Sequence, residues 1–453
     1  MRKLIYTLFL LISFAFLSDG QPYGRMEARH TPEWFTAGYT YQIQPRAFTA
    51  EGTIAAAAGK LQHLSELGVK TVYLCPVFVT DDDPDQSSWS PRQIQSGYGN
   101  PKNPYRIKDY FHVDPEYGTD ADLKDFVAKA HSLGIHVLLD IVFDHCGPTA
   151  VFVERHPEFF SYDENGRMIT TQWRFPALNF QSAGLRTYLK TNMQYLMCEF
   201  DVDGFRCDVA DGVPLDFWVE ARTELEKIKS DFVLAAEGQK RDNTLQAFDA
   251  NYDWEIVLNV AAALLKNPDG FKDKGGAAVI REKYKSYMAE FPKGTLFWHF
   301  TENHDTSNDS YDNRSEKVYG HDNQELGLAL CFALDGIPLI YNGQEICDAS
   351  RHSIFSTHGA AVIDWSLSGS EAAVHRMDCL KRWAEMRAER PALVGGSTEW
   401  IDNDRPAQVC SFRRSDGLTP DVLFVGNFSP DKVTVRLADG SRFTLAPWGY
   451  VFR

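Results

Sequence analysis

Four short apolar runs of the sequence each lead into an acidic residue, and these acids are Asp140, Asp208, Glu237 and Asp305. Pairs of carboxyl groups are what the cleavage of a glycosidic bond requires. One protonates the leaving oxygen, and the other stabilises or attacks the oxocarbenium-like carbon. Burial and like-charged neighbours can raise the pKa of one acid until it holds its proton near neutral pH. The pattern therefore predicts acid–base chemistry of this kind, provided that the fold gathers these acids.

Basic side chains accompany two of these acids. Arg206 lies two residues before Asp208, so both side chains project from the same face of a strand. The guanidinium is then expected to keep Asp208 ionised and to orient it as a nucleophile. His145 and His304 follow two of the runs and can donate hydrogen bonds to sugar hydroxyls. The alternatives are a structural ion pair for Arg206 and a buried, fully hydrogen-bonded His145.

The elements that must position these residues alternate along the chain. Strands are predicted at Tyr39–Gln44, Thr71–Cys75, Ile135–Ile141, Gly204–Cys207, Phe232–Ala236, Tyr252–Ile256, Leu296–Phe300 and Pro338–Tyr341. Helices are predicted at Ile54–Leu67, Asp120–Leu133, Gly184–Phe200, Pro214–Lys229, Gly276–Phe291, Asn323–Leu334 and Glu371–Arg387. This alternation predicts an α/β fold, a (β/α)8 TIM barrel, in which reactive groups lie at the C-terminal ends of the strands.

Two long intervals, 76–118 and 146–183, interrupt the alternation, and long loops in compact enzymes are usually functional. After residue 392 the sequence changes to short alternating strands separated by Pro and Gly turns. We therefore predict a catalytic barrel over 21–145 and 184–392. An inserted domain after strand 3 (146–183) and a C-terminal antiparallel β-sandwich domain (393–453) complete the prediction.

The N-terminus has the pattern of an export signal. Arg2 and Lys3 precede the apolar run Leu4–Leu17, and Ser18–Gly20 supplies small residues for cleavage before Gln21. Residues 1–20 are therefore predicted to be a signal peptide of a periplasmic or secreted protein. A single membrane anchor is the alternative, but the run is short for a span. The net charge of −16 argues against nucleic acid and anionic membranes as partners, and no stable membrane insertion is expected.

The eight cysteines do not suggest a disulfide framework, although a single disulfide stays open. Four of them lie inside apolar segments and are expected to be buried: Cys75, Cys198, Cys207 and Cys331. No CxxC motif or Cys/His cluster in the sequence indicates zinc.

Four blocks of the sequence resemble, in order, the signature blocks of the α-amylase family of glycoside hydrolases: Asp140–His145, Gly204–Val209, Ala236–Gly238 and Asn303–Asp305. Further similar segments are Tyr41–Arg46, Tyr105–Tyr110, Val113–Thr119 and Gly336–Glu345, and the resemblance covers 37–453. It implies Asp208 as nucleophile, Glu237 as general acid/base and Asp305 as a third carboxylate that binds sugar hydroxyls. It also implies four substrate-binding residues: Arg206, His145, His304 and Tyr105, the last as an aromatic platform under the sugar. Asp140 would hold these residues in position without touching the substrate.

Bland interpretations exist for several of these residues. Glu237 could be an ordinary strand-end acid, His304 and Asp305 a loop pair, and Tyr105 a packing residue. Calcium-dependent members of the family typically carry Asn at the position of Asp144, and Lys-His in place of the residues that follow the nucleophile here. Asp144 is therefore only a weak candidate ligand for Ca²⁺, which prefers oxygen donors. No organic cofactor is implied.

The sequence thus predicts a retaining hydrolase of α-glucosidic bonds in α-glucans or malto-oligosaccharides, similar to α-amylases, neopullulanases and oligo-glucosidases. The reaction would pass through a covalent glycosyl-enzyme. A transglycosidase of the same family is the first alternative, because water and sugars compete for one intermediate. A non-catalytic glycan-binding relative is the second, and the presence of all three acids argues against it. Substrate choice is expected to depend on loops 76–118 and 146–183.

Overall fold

A computed structural model describes residues 23–255, 276–307 and 314–453. Eight parallel strands form its centre: β1 (Thr40–Ile43), β2 (Thr71–Leu74), β5 (His136–Val142), β6 (Gly204–Asp208), β7 (Val233–Ala236), β8 (Ala250–Tyr252), β9 (Leu296–His299) and β10 (Ile337–Tyr341). They close into a barrel in this order, with β10 paired to β1. Almost every residue of these strands is buried, as expected for parallel strands covered on both faces. The predicted TIM barrel is confirmed.

Helices surround the barrel. Those of the described ranges are Glu33–Thr36, Pro45–Phe48, Ile54–Ala58, Leu61–Glu66, Pro91–Gln95, Asp120–Ser132, Ala183–Phe200, Leu215–Leu225, Asn243–Gln246, Gly276–Met288, Ser315–Tyr319, His321–Ala333, Glu371–Glu389 and Ala392–Gly395. The helix Asp120–Ser132 begins with a capping box between Thr119 and Asp122. One predicted helix, Ile54–Leu67, is interrupted at Gly59. Glycine loses more conformational entropy than other residues when it becomes helical, so it disfavours a continuous helix here.

The sixth barrel strand lies earlier than predicted. The prediction was Tyr252–Ile256, but the strand is Ala250–Tyr252, Trp254 and Glu255 are helical, and Ile256 falls outside the described residues. The alternation of aromatic and acidic residues after Tyr252 imitates a strand, whereas the short run before it is what pairs with β7 and β9.

Loop 76–118 contains a pair of strands that the sequence did not reveal. β3 (Phe78–Thr80) and β4 (Ile107–Val113) are antiparallel with an irregular register. The inserted segment 146–183 packs against this pair, because the N–H groups of Gly147 and Val151 donate to the carbonyls of Ile107 and Lys108. Apart from one 3₁₀ turn at Pro157–Phe159, the segment is held by isolated bridges such as His145 with Ala177. The two long loops are therefore joined by backbone hydrogen bonds and pack together.

The C-terminal part of the chain is an antiparallel β domain, as predicted. Its strands are β11 (Ser397–Trp400), β12 (Val409–Ser415), β13 (Val422–Asn427), β14 (Val433–Arg436), β15 (Arg442–Leu445) and β16 (Tyr450–Phe452). β11, β12, β13 and β16 form one sheet, and β14 pairs with β15. β11 and β12 were not predicted, because they mix charged and apolar residues without a clear alternation.

All eight cysteines are free thiols, and seven are buried. The exception is Cys198, whose predicted burial is wrong because it lies on the outer face of the helix Ala183–Phe200. Among the described residues, no helix combines the length and the apolar character needed to cross a bilayer. The predicted signal peptide, residues 1–20, lies outside the described residues.

Candidate active site

The C-terminal ends of β5, β6, β7 and β9 bring the predicted acids to one rim of the barrel. Asp140 on β5 is in register with Arg206 on β6, and Val142 is in register with Asp208. Glu237 directly follows β7. The close approach of β6 to β7 requires Gly204, since a β-carbon there would lie 2.0 Å from the carbonyl oxygen of Val233. Gly204 therefore allows β6, which carries Arg206 and Asp208, to lie close to β7, which leads into Glu237.

Arg206 is the centre of the site. Its side chain is fully buried, and Nη1 donates to Asp140 Oδ1 and Asp208 Oδ1, each at 2.8 Å. Nη2 forms an ion pair with Glu237 Oε2 at 2.9 Å, and Nε donates to the hydroxyl of Tyr252 at 3.2 Å. Asp208 and Glu237 contact different nitrogens of one guanidinium, so their carboxylates both lie against a single small group. A separation of ~10 Å or more, which would exclude a shared sugar ring, does not occur.

The environment makes both carboxyl groups hold a proton more tightly than a free carboxylic acid does. Burial raises the pKa of Asp208 to about 7, because its effect outweighs the opposing charge of Arg206. The expectation that this guanidinium keeps Asp208 ionised is therefore wrong below that pH, although Arg206 does contact and orient the carboxylate. Burial also raises the pKa of Glu237 well above its ordinary value, and the charges of Asp208 and Asp305 add to this effect against the opposing charge of Arg206. Since the charge of Asp208 is one of the causes that raise the pKa of Glu237, ionisation of Asp208 favours a proton on Glu237. A neutral acid beside an ionised carboxylate is the arrangement that general acid catalysis with a nucleophile requires.

The residue after Asp208 holds Glu237 in place at a cost in backbone strain. Val209 has φ 42° and ψ 45°, in the left-handed region that β-branched residues rarely adopt. In this conformation its N–H donates to Glu237 Oε2 at 2.8 Å. The N–H of Ala210 also donates to the carbonyl of Glu237 at 3.0 Å. Strain of this kind persists where the surrounding structure demands it, and here it orients the candidate acid.

A buried hydrogen-bonded chain connects Asp140 to His304. Gln42 Nε2 lies 2.7 Å from His304 Nδ1, and His304 Nε2 lies 2.7 Å from the hydroxyl of Tyr105. The Tyr105 hydroxyl is also 3.0 Å from Asp140 Oδ2, which accepts a second hydrogen bond from Tyr73 at 2.6 Å. Burial lowers the pKa of His304 to about 3, so its ring is neutral. With Gln42 as donor to Nδ1, the proton of His304 is on Nε2, facing Tyr105 and the pocket.

Tyr105 stacks on His304 with ring centroids 5.3 Å apart and planes 8° from parallel. This pair forms one wall of the site, beside the guanidinium of Arg206, whose carbon lies 6.0 Å from the Tyr105 ring. The geometry is that of a flat surface next to the carboxylates, which suits the apolar face of a sugar ring.

Asp305 is more exposed than the other two carboxylates, with 33% of its side chain accessible. Arg92 Nη1 donates to its Oδ1 at 2.6 Å, and Arg92 Nη2 donates to the carbonyl of His304 at 3.0 Å. Burial would raise the pKa of Asp305, but the neighbouring His304, Arg92 and Arg206 lower it to about 2. Asp305 is therefore ionised. Sequence reasoning missed Arg92, because nothing near it in the chain resembles a site.

His145 lies at the junction of the rim and the inserted segment. Its Nε2 donates to the carbonyl of Tyr105 at 3.0 Å, and its ring contacts Trp173 and Phe175, with centroids 5.5 Å and 5.0 Å away. Since Nε2 is occupied, only Nδ1 can face a ligand, and this atom is 3.5 Å from Asp144 Oδ2. His145 thus holds Tyr105 and the inserted segment in place.

Asp144 is the residue that the sequence offers as a ligand for Ca²⁺. Ca²⁺ takes six to eight oxygen ligands in proteins. In the described ranges, Asp144 does not belong to a group of three or more side chains able to share a metal ion. Its backbone carbonyl accepts from the N–H of Leu178, and its Oδ1 lies against Gly212, where a β-carbon would come within 2.2 Å.

The structure brings all of the predicted catalytic and substrate-binding residues to one rim. Besides Arg92, the residues that sequence reasoning missed are Gln42, Tyr73 and Tyr252. Gln42 lies in the segment Tyr41–Arg46, where the family resemblance gave a signal. Tyr73 and Tyr252 lie on barrel strands, and nothing in the sequence around them marked either residue as part of a site.

The chain is similar to known proteins in both sequence and structure. A model of the α-amylase catalytic domain matches residues 30–167 and 162–385. An α-amylase of Haloarcula japonica is 27% identical over 90% of the chain and 58% of its own length. A cyclomaltodextrinase of Geobacillus thermopakistaniensis is 23% identical over 94% of the chain and 78% of its own length. Among solved structures, a noncanonic maltogenic α-amylase of Thermotoga neapolitana matches with a TM-score of 0.76 and 26% identity, over 93% of this chain and 97% of that one.

Proposed function

The chain belongs to the α-amylase family, and on this premise we propose that it is a retaining glycoside hydrolase that cleaves α-glucosidic bonds in α-glucans or malto-oligosaccharides. The proposal rests above all on one observation. A single buried guanidinium, that of Arg206, contacts both Asp208 and Glu237, and the pKa of Glu237 is raised well above normal.

In the first half of the proposed reaction, Glu237 donates its proton to the glycosidic oxygen while Asp208 Oδ attacks the anomeric carbon. The bond between that carbon and the leaving oxygen breaks, and a covalent glycosyl-enzyme forms. Asp305, which is ionised, accepts hydrogen bonds from sugar hydroxyls. The stacked rings of Tyr105 and His304 support the sugar beside Arg206.

In the second half, Glu237 takes a proton from water as the water oxygen attacks the anomeric carbon and the bond to Asp208 breaks. The site supports this exchange of roles. The charge of Asp208 contributes to the raised pKa of Glu237, and esterification removes that charge. Glu237 therefore stays ionised in the intermediate and can act as a base, and the original charges return when Asp208 is released.

The substrate class is supported by the relatives, whose names are those of an α-amylase, a cyclomaltodextrinase and a maltogenic α-amylase. The chain spans 58% and 78% of the lengths of the two curated relatives, so their linkage preferences are not transferred to it. Starch, pullulan, panose and sucrose are the substrates whose product profile defines the preference of this chain.

The test is to determine the anomeric configuration of the first product, using proton NMR to monitor the hydrolysis of maltoheptaose. Retention gives the α-anomer before mutarotation, and initial formation of the β-anomer would contradict the proposal. The same reaction at high substrate concentration distinguishes a transglycosidase, which makes oligomers longer than maltoheptaose.

We also propose that the protein is exported and cleaved before Gln21, supported by the basic start and apolar run of residues 1–20. N-terminal sequencing of the protein from periplasmic and culture fractions tests this, and an uncleaved cytoplasmic chain would contradict it. We further propose that Asp144 is a ligand of Ca²⁺, which prefers oxygen donors. This proposal predicts that excess Ca²⁺ raises the unfolding temperature of chelator-treated protein and that Asp144→Ala removes the increase.

A further inference from the structure

Three metal-binding side chains of different types meet where two barrel helices contact the C-terminal β domain. His375 and Cys379 lie four residues apart on the helix Glu371–Glu389, hence on one face of it. Glu325 reaches them from the helix His321–Ala333. One ligand atom from each of the three lies within 4.8 Å of the others. None of these residues takes part in the proposed reaction.

The distances between these atoms are those between ligands of one metal ion. Glu325 Oε1 is 3.3 Å from His375 Nε2, and His375 Nε2 is 3.7 Å from Cys379 Sγ. A charge-assisted hydrogen bond between imidazole and carboxylate would be shorter, at about 2.7–2.9 Å. Two ligands of a tetrahedral zinc ion with ordinary Zn–N, Zn–O and Zn–S bonds are separated by roughly 3.3–3.6 Å. The first distance falls in this range and the second lies slightly above it, so the three side chains are close enough to share one metal ion, although both contacts are also long hydrogen bonds.

The neighbours of the three side chains would orient them as ligands. The hydroxyl of Tyr450, on β16, donates to Glu325 Oε1 at 2.9 Å and lies 3.8 Å from Cys379 Sγ. Arg382 Nη2 donates to Cys379 Sγ at 3.4 Å. Its charge opposes the burial that raises the pKa of this thiol. Arg376 Nε lies 3.5 Å from the other oxygen, Glu325 Oε2, and leaves Oε1 toward His375. The His375 side chain is 65% exposed, so a metal ion and a water ligand have access.

A second group of similar composition, Glu316, His321 and Cys347, serves as an internal comparison. There the Glu316 carboxylate is in direct hydrogen-bond contact with His321 Nδ1 and is paired with Arg376 through both oxygens, at 3.3 Å each. Its carboxylate is thus satisfied as an ion pair without a metal. The two groups share Arg376, but only the first has the spacing of coordination.

We propose that Glu325, His375 and Cys379 bind one Zn²⁺, with water or the Tyr450 hydroxyl completing a tetrahedral site. Binding displaces the proton of the Cys379 thiol, so one proton is released to solvent as the Zn–S bond forms. Because Tyr450 belongs to the C-terminal domain and the three ligands belong to barrel helices, the ion would brace the contact between them. The proposal does not depend on the proposed hydrolase activity.

The test uses the full chain after dialysis against a chelator, titrated with Co²⁺ as a spectroscopic substitute for zinc. We expect one equivalent to produce the near-ultraviolet charge-transfer band of a cobalt–thiolate bond, and Zn²⁺ to displace it. Cys379→Ser and His375→Ala should each abolish the band or weaken binding at least about 100-fold. The matched controls His321→Ala, from the comparison group, and Cys198→Ser, at the exposed thiol, should leave it unchanged.

Absence of the band in the unaltered protein would overturn the proposal, as would its persistence in both Cys379→Ser and His375→Ala. A band that disappears only in His321→Ala would assign the metal to the comparison group instead and would also overturn it. Circular dichroism of each variant verifies that it is folded. Tyr450→Phe, which keeps the ring and its packing, is a milder variant that should weaken binding without removing the band.

Discussion

The guanidinium of Arg92 lies 2.6 Å from the carboxylate of Asp305, although 213 residues separate them in the chain. Arg92 is on the short helix Pro91–Gln95, whose N-terminus is capped by Ser90 through the N–H of Gln93. It also donates to the carbonyl of His304, the residue before Asp305. Loop 76–118 is therefore tied directly to the carboxylate that we expect to bind sugar hydroxyls.

Removing this tie should weaken turnover. We predict that Arg92→Gln lowers kcat/KM by about tenfold, because Asp305 loses a charged hydrogen-bond donor that holds its orientation. Steady-state kinetics on maltoheptaose measures the effect. Arg167→Gln, which removes an exposed pair with Asp163 in the inserted segment, is the control and should change little. Equal rates for Arg92→Gln and the unaltered protein would show that the tie has no role.

The two raised pKa values predict a bell-shaped pH profile of kcat/KM. Asp208 must be ionised, so activity rises as the pH passes its pKa of about 7. Glu237 must be protonated, so activity falls as the pH passes its raised pKa. With a glucosyl fluoride, whose leaving group needs no acid, Glu237→Gln should retain kcat/KM, which reports formation of the glycosyl-enzyme, and should lose the alkaline limb. Its kcat should fall, because the second half of the reaction has lost its base. If the alkaline limb survives in this variant, another group is the acid.

Asp140 is predicted to act through its neighbours. It accepts hydrogen bonds from Arg206, Tyr73 and Tyr105, and its charge contributes to the raised pKa of Asp208. Asp140→Asn should lower kcat by about 100-fold through misplacement of Arg206. It should also shift the acidic limb of the profile to lower pH, since a negative neighbour of Asp208 is gone. A purely structural role would not move this limb, so an unchanged limb would contradict the prediction.

A buried ion network should dominate stability near the β9 loop. Arg314 donates to Glu302 Oε1 at 2.6 Å and to Asp348 Oδ2 at 2.7 Å, and all three side chains are almost fully buried. Arg314→Met would leave two buried carboxylates without their counter-ion and should cost ~3–5 kcal/mol of unfolding free energy. Urea unfolding measures this, with the exposed Arg167→Met expected to cost under ~1 kcal/mol. A cost for Arg314→Met as small as that of the control would refute the prediction.

The barrel could be predicted from sequence because most of its strands are short, mainly apolar runs that alternate with helices, and four of these runs lead into acids. β2 and β7, for example, are buried at every position. β4 escaped prediction because its Lys108, Asp109 and His112 interrupt the apolar pattern inside a loop rich in turn residues. β8 was displaced because the residues after Tyr252 alternate as convincingly as the strand itself. Local pattern thus fails where burial is decided by distant segments.

The site could be predicted only as far as local patterns reach. Arg206 and Asp208 are two residues apart on one strand, and their shared face follows from strand geometry. The pair of Arg92 with Asp305 depends on the path of a loop, and no local spacing reveals it. The proposed zinc site could likewise not be predicted from local spacing. His375 and Cys379 are four residues apart in the sequence, but Glu325 comes near them only because two helices pack together.

The most direct test of the central claim is to trap the glycosyl-enzyme with a slow, fluorinated α-glucosyl fluoride and to identify the labelled peptide by mass spectrometry. We predict one glycosyl group per chain, attached to Asp208, and its absence in Asp208→Asn, whose turnover should fall by about 10⁴-fold or more. A label on a different residue, or undiminished turnover by Asp208→Asn, would contradict the account.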